Sequence, residues 1–346
     1  MKNIFEIESY QNQLKRLTSF LPDEDKSFLI TGASGLIGSC LVDCLMYANM
    51  FQGRKFLVYA LGRSEDKMQK RFEYAKNRKD LYLLFADVRN PLPDIIHFDY
   101  IVHAASNADP RLYALYPSET LLTNIVGTKS VLDYAKAHKN CRVLFMSTFE
   151  VYGDAGKKGA LTEDSVGIMD FHKMRNCYPA SKICAELLCQ AYGEQFGVDY
   201  VIARLCGIYG PTMSMLDSKA QAQFIMNALK GEDVVLKSKG QQKRSYCYVM
   251  DAISALMIVL LKGQTKESYN IADERSFISI AGFAKCVAEV GSVGIRYDLP
   301  DEIEAKGFSN PIDVIMDNKK LKGLGWNSVY SLSEGIEGTI QILGRI

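Results

Sequence analysis

The sequence has few residues of the kinds that build metal sites or disulfide frameworks. Its 346 residues include four histidines, and no two of them have the spacing of a metal-ligand pair. Its nine cysteines are scattered without a C-x-x-C pair, and several lie in apolar helical patterns, where cysteine acts as a small hydrophobic residue. We therefore expect no bound metal and a reducing, cytoplasmic environment.

The sequence also lacks an excess of one charge and any long apolar run. The 41 Lys and Arg residues and 40 Asp and Glu residues leave a formal net charge of +1. This balance gives no reason to expect binding to nucleic acid or to an anionic membrane. No apolar run is long enough to span a bilayer, and residues 1–10 are unlike a secretory signal. These absences are typical of a soluble enzyme.

The most informative stretch is a glycine-rich turn between an apolar strand and an apolar helix, with the pattern T-G-x-x-G-x-x-G. Gly32 permits a tight turn, Gly35 lets a pyrophosphate approach the backbone, and Gly38 lets the helix pack closely on the strand. The helix N-terminus offers N–H groups and a positive dipole end to phosphates. The motif in this context predicts a dinucleotide site, with cofactor contacts from Gly32, Ser34, Gly35, Leu36, Ile37 and Gly38.

Strand-like and helical runs alternate after residue 26. The strand-like runs are 27–31, 55–61, 81–86, 100–104, 142–147 and 200–205, and the helical runs are 36–50, 117–137 and 180–196. This alternation predicts an α/β fold with a Rossmann-like, doubly wound parallel sheet and a ligand crevice at the carboxyl ends of its strands.

The pattern becomes irregular after Gly210-Pro211, which predicts a smaller mixed α/β substrate-binding domain at the C-terminal end. No linker separates it from the first domain, so we expect the two to be interleaved. The predicted division is an N-terminal extension at 1–26, a dinucleotide-binding domain at 27–206 and 240–262, and a substrate-binding domain at 207–239 and 263–346.

Two further runs carry candidate catalytic residues. Tyr178 and Lys182 are four residues apart, so they share one helix face, and a nearby cation lowers the pKa of a phenol that acts as base or acid. A chance pair on a solvated face has the same spacing, but this pair follows a dinucleotide motif. Thr148, at the end of a buried strand, can bond the hydroxyl that Tyr178 deprotonates. Glu150 lies just beyond that strand, as a catalytic group or as a surface carboxylate or cap.

Together these motifs resemble those of the extended short-chain dehydrogenases/reductases, the NAD-dependent epimerase/dehydratase family, in the branch that modifies nucleotide-diphosphate sugars. The resemblance covers nearly the whole chain after residue 26. It is greatest to UDP-glucuronate decarboxylases, and 4,6-dehydratases and 4-epimerases share much of it. The segments that carry it are 103–110, 116–120, 123–128, 147–154, 175–182, 208–213 and 243–249.

The resemblance implies chemistry through a 4-keto sugar. Tyr178 would take the proton of the C4 hydroxyl while hydride passes to the nicotinamide, and Thr148 would orient that hydroxyl. Lys182 would lower the pKa of Tyr178 and bond the nicotinamide ribose. Further cofactor contacts are implied for Ala104, Ala105, Ser106 and Asn124, and substrate contacts for Ser106, Phe149, Arg175, Gly207 and Arg244.

The chain departs from the family pattern at two substrate positions. Phe149 stands where the decarboxylases place serine and the 4,6-dehydratases place aspartate, and a phenyl ring can neither bond a carboxylate nor donate a proton. Glu150 remains as a possible base at C5, so epimerisation stays open. Gly207 stands where many relatives carry an asparagine that binds the sugar nucleotide, which indicates an altered grip on the substrate.

The second strand ends without the acidic residue that is usual for NAD. Arg63 follows it and suits a 2′-phosphate, although an arginine that stacks on adenine would also be compatible with NAD. The cofactor is therefore NAD or NADP, with Arg63 favouring NADP. Asp87 and Val88 end the third strand and resemble the pair that contacts adenine.

Other functions stay open beside the 4-keto chemistry. One is a net reductase that consumes NADPH, and another is a non-catalytic dinucleotide sensor, although the catalytic residues are all present. Related enzymes pair through the helices predicted at 117–137 and 180–196, which carry apolar residues on more than one face. We therefore expect a homodimer with a four-helix interface.

Overall fold

The computed structural model describes residues 3–156, 159–299 and 313–346. Its strands are β1 (Ser27–Thr31), β2 (Leu57–Gly62), β3 (Leu81–Phe85), β4 (Tyr100–His103), β5 (Arg142–Thr148), β6 (Asp199–Leu205), β7 (Gly207–Tyr209), β8 (Val234–Leu236), β9 (Lys243–Tyr248), β10 (Ser268–Ile271), β11 (Asp273–Ser279) and β12 (Ile295–Tyr297). In these described residues, seven strands form one parallel central sheet in the order β10-β6-β5-β4-β1-β2-β3. This order reverses direction at β1, as a doubly wound sheet requires.

Helices cover both faces of the central sheet. The helices of the described residues are α1 (Glu8–Leu17), α2 (Leu36–Phe51), α3 (Glu65–Arg71), α4 (Pro110–Leu115), α5 (Pro117–Ala137), α6 (Cys177–Phe196), α7 (Ala220–Leu229), α8 (Val249–Lys262), α9 (Ile280–Gly291), α10 (Lys319–Gly323) and α11 (Leu332–Leu343). Of these, α7, α9 and α11 pack against one another and against the smaller sheets. Every residue of β1 is buried, and its side chains alternate between two cores. Phe28 and Ile30 pack with α2 and α8, and Leu29 packs with α5 and α6. A strand covered on both faces has a continuous apolar sequence, and the apolar run in β1 therefore predicts a buried strand. The predicted fold class is confirmed.

A small sheet stands beside the central one. In it β9 pairs in parallel with β7 and antiparallel with β11, and β8 pairs with β12 separately. None of the helices in the described ranges combines the length and apolar character that a bilayer crossing needs. Within those ranges no group of three potential metal ligands comes together.

Two strands lie outside the domains to which the sequence assigns them. β10, predicted in the substrate-binding domain, is an edge strand of the central sheet beside β6. β9, predicted in the dinucleotide-binding domain, belongs to the small sheet. Both assignments are corrected. Strand pairing depends on which sheet edge is open when the chain returns through α8, and a local pattern carries no signal of this. The other domain boundaries stay predictions.

The N-terminal segment packs against two helices that cover the central sheet. Its α1 contacts α2 and α8, and Tyr10 and Leu14 are fully buried there. The Tyr10 hydroxyl donates to the Oδ2 atom of Asp43 at 2.7 Å. Asp43 lies on α2, is fully buried, and is also bonded by Arg71 and by the Tyr74 hydroxyl. Burial, followed by the charge of Asp43, raises the pKa of Tyr10, so the phenol stays a donor at neutral pH.

We predict that Tyr10→Phe destabilises the fold, because the substitution removes one donor from a buried carboxylate. Hydrogen bonds to charged groups contribute about 1.5–3 kcal/mol, and we expect a loss of this size in the free energy of unfolding. The control is Tyr47→Phe, at a buried tyrosine of α2 whose hydroxyl makes no hydrogen bond to described residues. Denaturant unfolding measures both variants. Equal small losses would contradict the role given to the Tyr10 contact.

Candidate active site

A cleft of about 1450 Å³ opens at the carboxyl ends of the central strands. Segments that follow β1, β2, β4, β5 and β6 line one side, and residues of the small sheet and of the loop before α7 line the other. This is the position that a doubly wound sheet offers to ligands. All four predicted catalytic residues line the cleft, namely Thr148, Glu150, Tyr178 and Lys182.

The glycine-rich turn leaves a cradle at the start of α2. Gly32 has a φ of +65°, and a Cβ there would lie 2.8 Å from the backbone of Ala105. A Cβ on Gly38 would lie 2.5 Å from the Gly32 carbonyl oxygen, so only glycine lets the helix approach this closely. Gly35 caps the helix, and all six residues predicted for this loop line the cleft. The cradle fits a pyrophosphate at a helix N-terminus.

Buried polar atoms near the cradle also fit a bound polar ligand. The hydroxyls of Ser106 and Thr123 are buried and have no hydrogen-bond partner among the described residues, and both residues line the cleft. Buried polar groups without partners are rare in folded proteins. The neighbouring Ala104 and Ala105 line the cleft too, and their N–H groups donate to the Thr31 hydroxyl at 3.1 Å.

Tyr178 and Lys182 are both buried in the first turns of α6. The Lys182 ammonium donates to the Met146 carbonyl oxygen at 2.8 Å. Burial lowers the pKa of Lys182 to about 8, although the Glu186 carboxylate opposes this. Burial, followed by the charge of Glu150, raises the pKa of Tyr178, while a hydrogen bond with Thr148 lowers it. The Thr148 hydrogen bond is the contact that lowers the pKa of Tyr178 in this structure, so the effect of Lys182 on that pKa stays a prediction.

Glu150 belongs to a network of side-chain contacts that reaches Tyr178, the candidate catalytic base. The Nη2 atom of Arg175 lies 3.1 Å from Oε2 of Glu150 and 3.1 Å from the Tyr113 hydroxyl. The Tyr113 ring stacks on that of Tyr178, with centroids 5.1 Å apart. Tyr113 lines the cleft but is absent from the sequence prediction. It stands in α4 between two family segments, and no periodicity distinguishes it from a core tyrosine.

Phe149 also lines the cleft, close to an arginine. The guanidinium of Arg244 lies over its ring, 5.8 Å from the centroid. Gly207 lines the cleft nearby, and a Cβ there would lie 2.9 Å from the Tyr246 ring. An aromatic side chain therefore takes up the space in which a larger residue at position 207 would stand.

The structure places two predicted cofactor contacts outside the cleft lining. Asp87 does not line it, and Arg89 donates to its carboxylate in hydrogen bonds of 3.0 and 2.8 Å. Asn124 does not line it either; its amide nitrogen donates to the Ser181 hydroxyl at 2.8 Å, while its amide oxygen is buried without a partner among the described residues. The predicted cofactor contacts of Asp87 and Asn124 stay predictions, whereas Arg63 and Val88 do line the cleft.

Three hydrogen bonds join the sides of the cleft. The Asp109 carboxylate accepts from both the hydroxyl and the N–H group of Ser218, at 2.6 and 3.0 Å. The Thr212 hydroxyl donates to the Leu36 carbonyl oxygen at 2.7 Å. The segment that precedes α7 is thereby tied to α4 and to the first turn of α2.

Comparison with known proteins agrees with this architecture. The family described as "Epimerase: NAD dependent epimerase/dehydratase family" matches residues 28–272. UDP-glucuronic acid decarboxylase 6 of Arabidopsis thaliana is 34% identical over 309 residues, which cover 89% of this chain and 86% of the relative. UDP-glucuronic acid decarboxylase 1 of Xenopus tropicalis is 33% identical over 330 residues, which cover 93% of this chain and 73% of the relative.

A solved structure with a similar fold is UDP-glucuronic acid 4-epimerase from Bacillus cereus in complex with UDP-glucuronic acid and NAD. It is 22% identical to this chain with a TM-score of 0.78, and the match covers 92% of this chain and 99% of the epimerase. At this identity the likeness shows the fold.

Proposed function

The chain belongs to the NAD dependent epimerase/dehydratase family, and we propose that it modifies the sugar of a nucleotide-diphosphate sugar through a 4-keto intermediate. The observation that carries this proposal is the meeting of Thr148, Tyr178 and Lys182 with the glycine cradle in one cleft. The dinucleotide sensor is disfavoured because such a protein has no need of all three side chains.

In the proposed reaction the cofactor supplies a hydride acceptor for the sugar C4. Tyr178 takes the proton of the C4 hydroxyl as general base, and Thr148 bonds to the phenol and orients the sugar. Because burial raises the pKa of Tyr178, the base needs help to release its proton. The Lys182 ammonium and the Thr148 hydroxyl are the groups of this chain that supply it.

The step that follows C4 oxidation depends on Phe149 and Glu150. Glu150, held by Arg175, is proposed as the base at C5, which supports epimerisation. Two relatives are UDP-glucuronic acid decarboxylases, but the phenyl ring of Phe149 offers no hydrogen bond to a C6 carboxylate. A net NADPH-dependent reductase is a second candidate, which Arg63 favours. Stoichiometric consumption of NADPH would distinguish it from an enzyme that returns the hydride.

The proposal also includes the localisation and the oligomeric state of the protein. All nine cysteines are free thiols, and seven of them are buried, which supports a cytoplasmic protein. Leu122 on α5 and Leu187 on α6 are about half exposed, at 48% and 56%, and support a dimer through these helices. Val131 and Tyr192 on the same helices are buried in the core of the sheet and take no part in such an interface.

A panel of UDP-, dTDP-, GDP- and CDP-sugars, with mass detection of the products, tests the proposed activity. Loss of carbon dioxide, loss of water and an unchanged mass distinguish decarboxylation, dehydration and epimerisation. Lack of turnover on every nucleotide sugar, with dinucleotide binding retained, would contradict the proposed function.

We predict that Tyr178→Phe lowers turnover on the substrate so identified by about 10²–10⁴-fold, the contribution usual for a general base. The variant keeps the aromatic ring that stacks on Tyr113, so stability and cofactor binding should change little. Tyr200→Phe is the matched control, since Tyr200 is buried in β6 and does not line the cleft. Steady-state kinetics measure the effect, and near wild-type turnover of Tyr178→Phe would refute the mechanism.

We predict that the wild type decarboxylates UDP-glucuronate poorly and that Phe149→Ser raises this activity. An apolar wall leaves a carboxylate unpaired, and sites of this kind discriminate strongly against the polar group. Phe171→Ser is the control, because Phe171 is 78% exposed in the loop before α6. The measurement is release of carbon dioxide. Efficient release by the wild type would show that the ring does not contact C6.

We predict that the wild type is a dimer at micromolar concentration and that Leu122→Glu combined with Leu187→Glu is a monomer. Two charges cannot be buried without partners in an apolar interface. Ile95→Glu, at a residue 97% exposed before β4, is the control and should stay dimeric. Light scattering gives the mass, and a monomeric wild type would exclude the four-helix interface.

A further inference from the structure

A buried carboxylate lies one helical turn beyond Lys182, outside the cleft. Glu186 is 7% exposed and follows Lys182 by four residues on α6, as Lys182 follows Tyr178. Tyr178 and Lys182 line the cleft, whereas Glu186 does not. Any effect of Glu186 on the proposed reaction therefore passes through a neighbouring side chain.

Two consecutive residues of β5 hold Lys182 and Glu186 side by side. The Lys182 ammonium donates to the carbonyl oxygen of Met146 at 2.8 Å. The hydroxyl of Ser147, the next residue, donates to Oε1 of Glu186 at 2.5 Å. Neither side chain can turn away from the strand without breaking a buried hydrogen bond.

Arg204 of β6 bonds the same carboxylate. Its Nε atom lies 3.1 Å from Oε1 of Glu186, and its Nη2 atom lies 2.7 Å from Oε2. Charge-assisted hydrogen bonds of this kind favour the ionised form of a carboxyl group. Arg204 also donates to the Tyr152 hydroxyl at 3.2 Å and to the Glu163 carbonyl oxygen at 2.6 Å, so its position does not depend on Glu186 alone.

Lys182 lies where an ammonium is costly. The residue is 3% exposed, and among the described residues its ammonium, which has three donors, makes one hydrogen bond. The ring of Phe145 adds a weak attraction, with its centroid 4.8 Å from the nitrogen. Burial lowers the pKa of Lys182 to about 8, and the charge of Glu186 acts in the opposite direction. Without that charge, a larger fraction of Lys182 would be neutral near pH 7.

Three titratable neighbours of Lys182 are neutral at this pH. Burial, followed by the charge of Lys182, lowers the pKa of His103 on β4 to about 3. Burial raises the pKa of the Cys189 thiol on α6, and it raises the pKa of Tyr178 as well. These groups therefore supply no negative charge to the ammonium.

The remaining elements around Lys182 also leave this role to Glu186. From α5, the side chain that meets this part of α6 is the neutral amide of Asn124. The carboxylate of Glu150, which follows β5, is paired with Arg175.

We infer that Glu186 is a positioning residue that keeps Lys182 in its ammonium form. In that form Lys182 can bond the cofactor ribose and favour the phenolate of Tyr178, as the proposed reaction requires. The inference rests on the proposed function for the use of the ammonium, but the charge of Lys182 can be measured without turnover.

The test is an NMR titration of the full-length protein with isotope-labelled lysine side chains, in which Lys182→Met assigns the Lys182 signal. We expect a wild-type midpoint near pH 8. Glu186→Gln keeps the shape of the side chain and an oxygen for Ser147 and Arg204. It should lower the midpoint by about one pH unit or more, the effect of removing an opposite charge at close range.

Three variants separate charge from architecture. Glu186→Asp keeps the charge, and Ser147→Ala removes the hydrogen bond but not the charge, so both should stay near the wild-type midpoint. Glu194→Gln is the matched control, because it removes an exposed carboxylate of the same helix that pairs with Lys266 at 3.0 Å. It should leave the midpoint unchanged.

A double variant covers the case in which Glu186→Gln does not fold. Combining it with Arg204→Gln removes both members of the buried pair, which is tolerated better than leaving one charge unpaired. Circular dichroism checks the fold, and we expect the same downward shift. An unchanged Lys182 midpoint in the folded variant would overturn the inference.

Kinetics then connect the charge of Lys182 to the reaction. Once a substrate is known, Glu186→Gln should lower kcat and displace the basic limb of its pH profile to lower pH, with KM changed less. Loss of turnover with an unshifted Lys182 midpoint would assign Glu186 a merely structural role and overturn the inference. A wild type without turnover would contradict the proposed function, and the NMR midpoint still decides whether Glu186 sets the charge of Lys182.

Discussion

The cleft depends on the close approach of α2 to the end of β1. Gly38 lies against the Gly32 carbonyl oxygen, and Gly32 lies against the backbone of Ala105 after β4. A side chain at either glycine would meet backbone, which cannot move aside as a flexible side chain can. Three chain segments therefore meet at van der Waals distance, and the space beyond them is what a pyrophosphate can fill.

The same helix is also held from behind. Asp43 on α2 accepts hydrogen bonds from Tyr10 of the N-terminal segment and from Arg71 and Tyr74, which follow the second strand. A carboxylate without exposure to water is tolerated only when it is fully bonded. The network therefore ties α1, α2 and the end of α3 into one unit, and α3 also carries Lys67, which lines the cleft. The N-terminal segment thus contributes to the position of α2 and α3 without lining the cleft itself.

In the part of the cleft where we propose that the sugar binds, aromatic rings and arginines contact one another. Arg175 joins Glu150 to Tyr113, which stacks on Tyr178, and Arg244 covers the face of Phe149. A charged group that pairs with a protein partner is less available to a substrate than its residue type alone indicates. In the proposed reaction, a substrate has to compete with these contacts for Arg175 and Arg244.

The sequence alone determined the elements whose signal is local. The apolar run of β1, the glycine turn and the spacing of Tyr178 and Lys182 are set by neighbours in the chain, and the structure places them as expected. The tertiary structure decided what depends on residues far apart in sequence. It brought Tyr113 onto Tyr178, placed β10 at the open edge of β6, and paired Asp87 with Arg89 and Asn124 with Ser181. It also raised the pKa of Tyr178, because the burial of a side chain is a property of the packed fold and not of its local sequence.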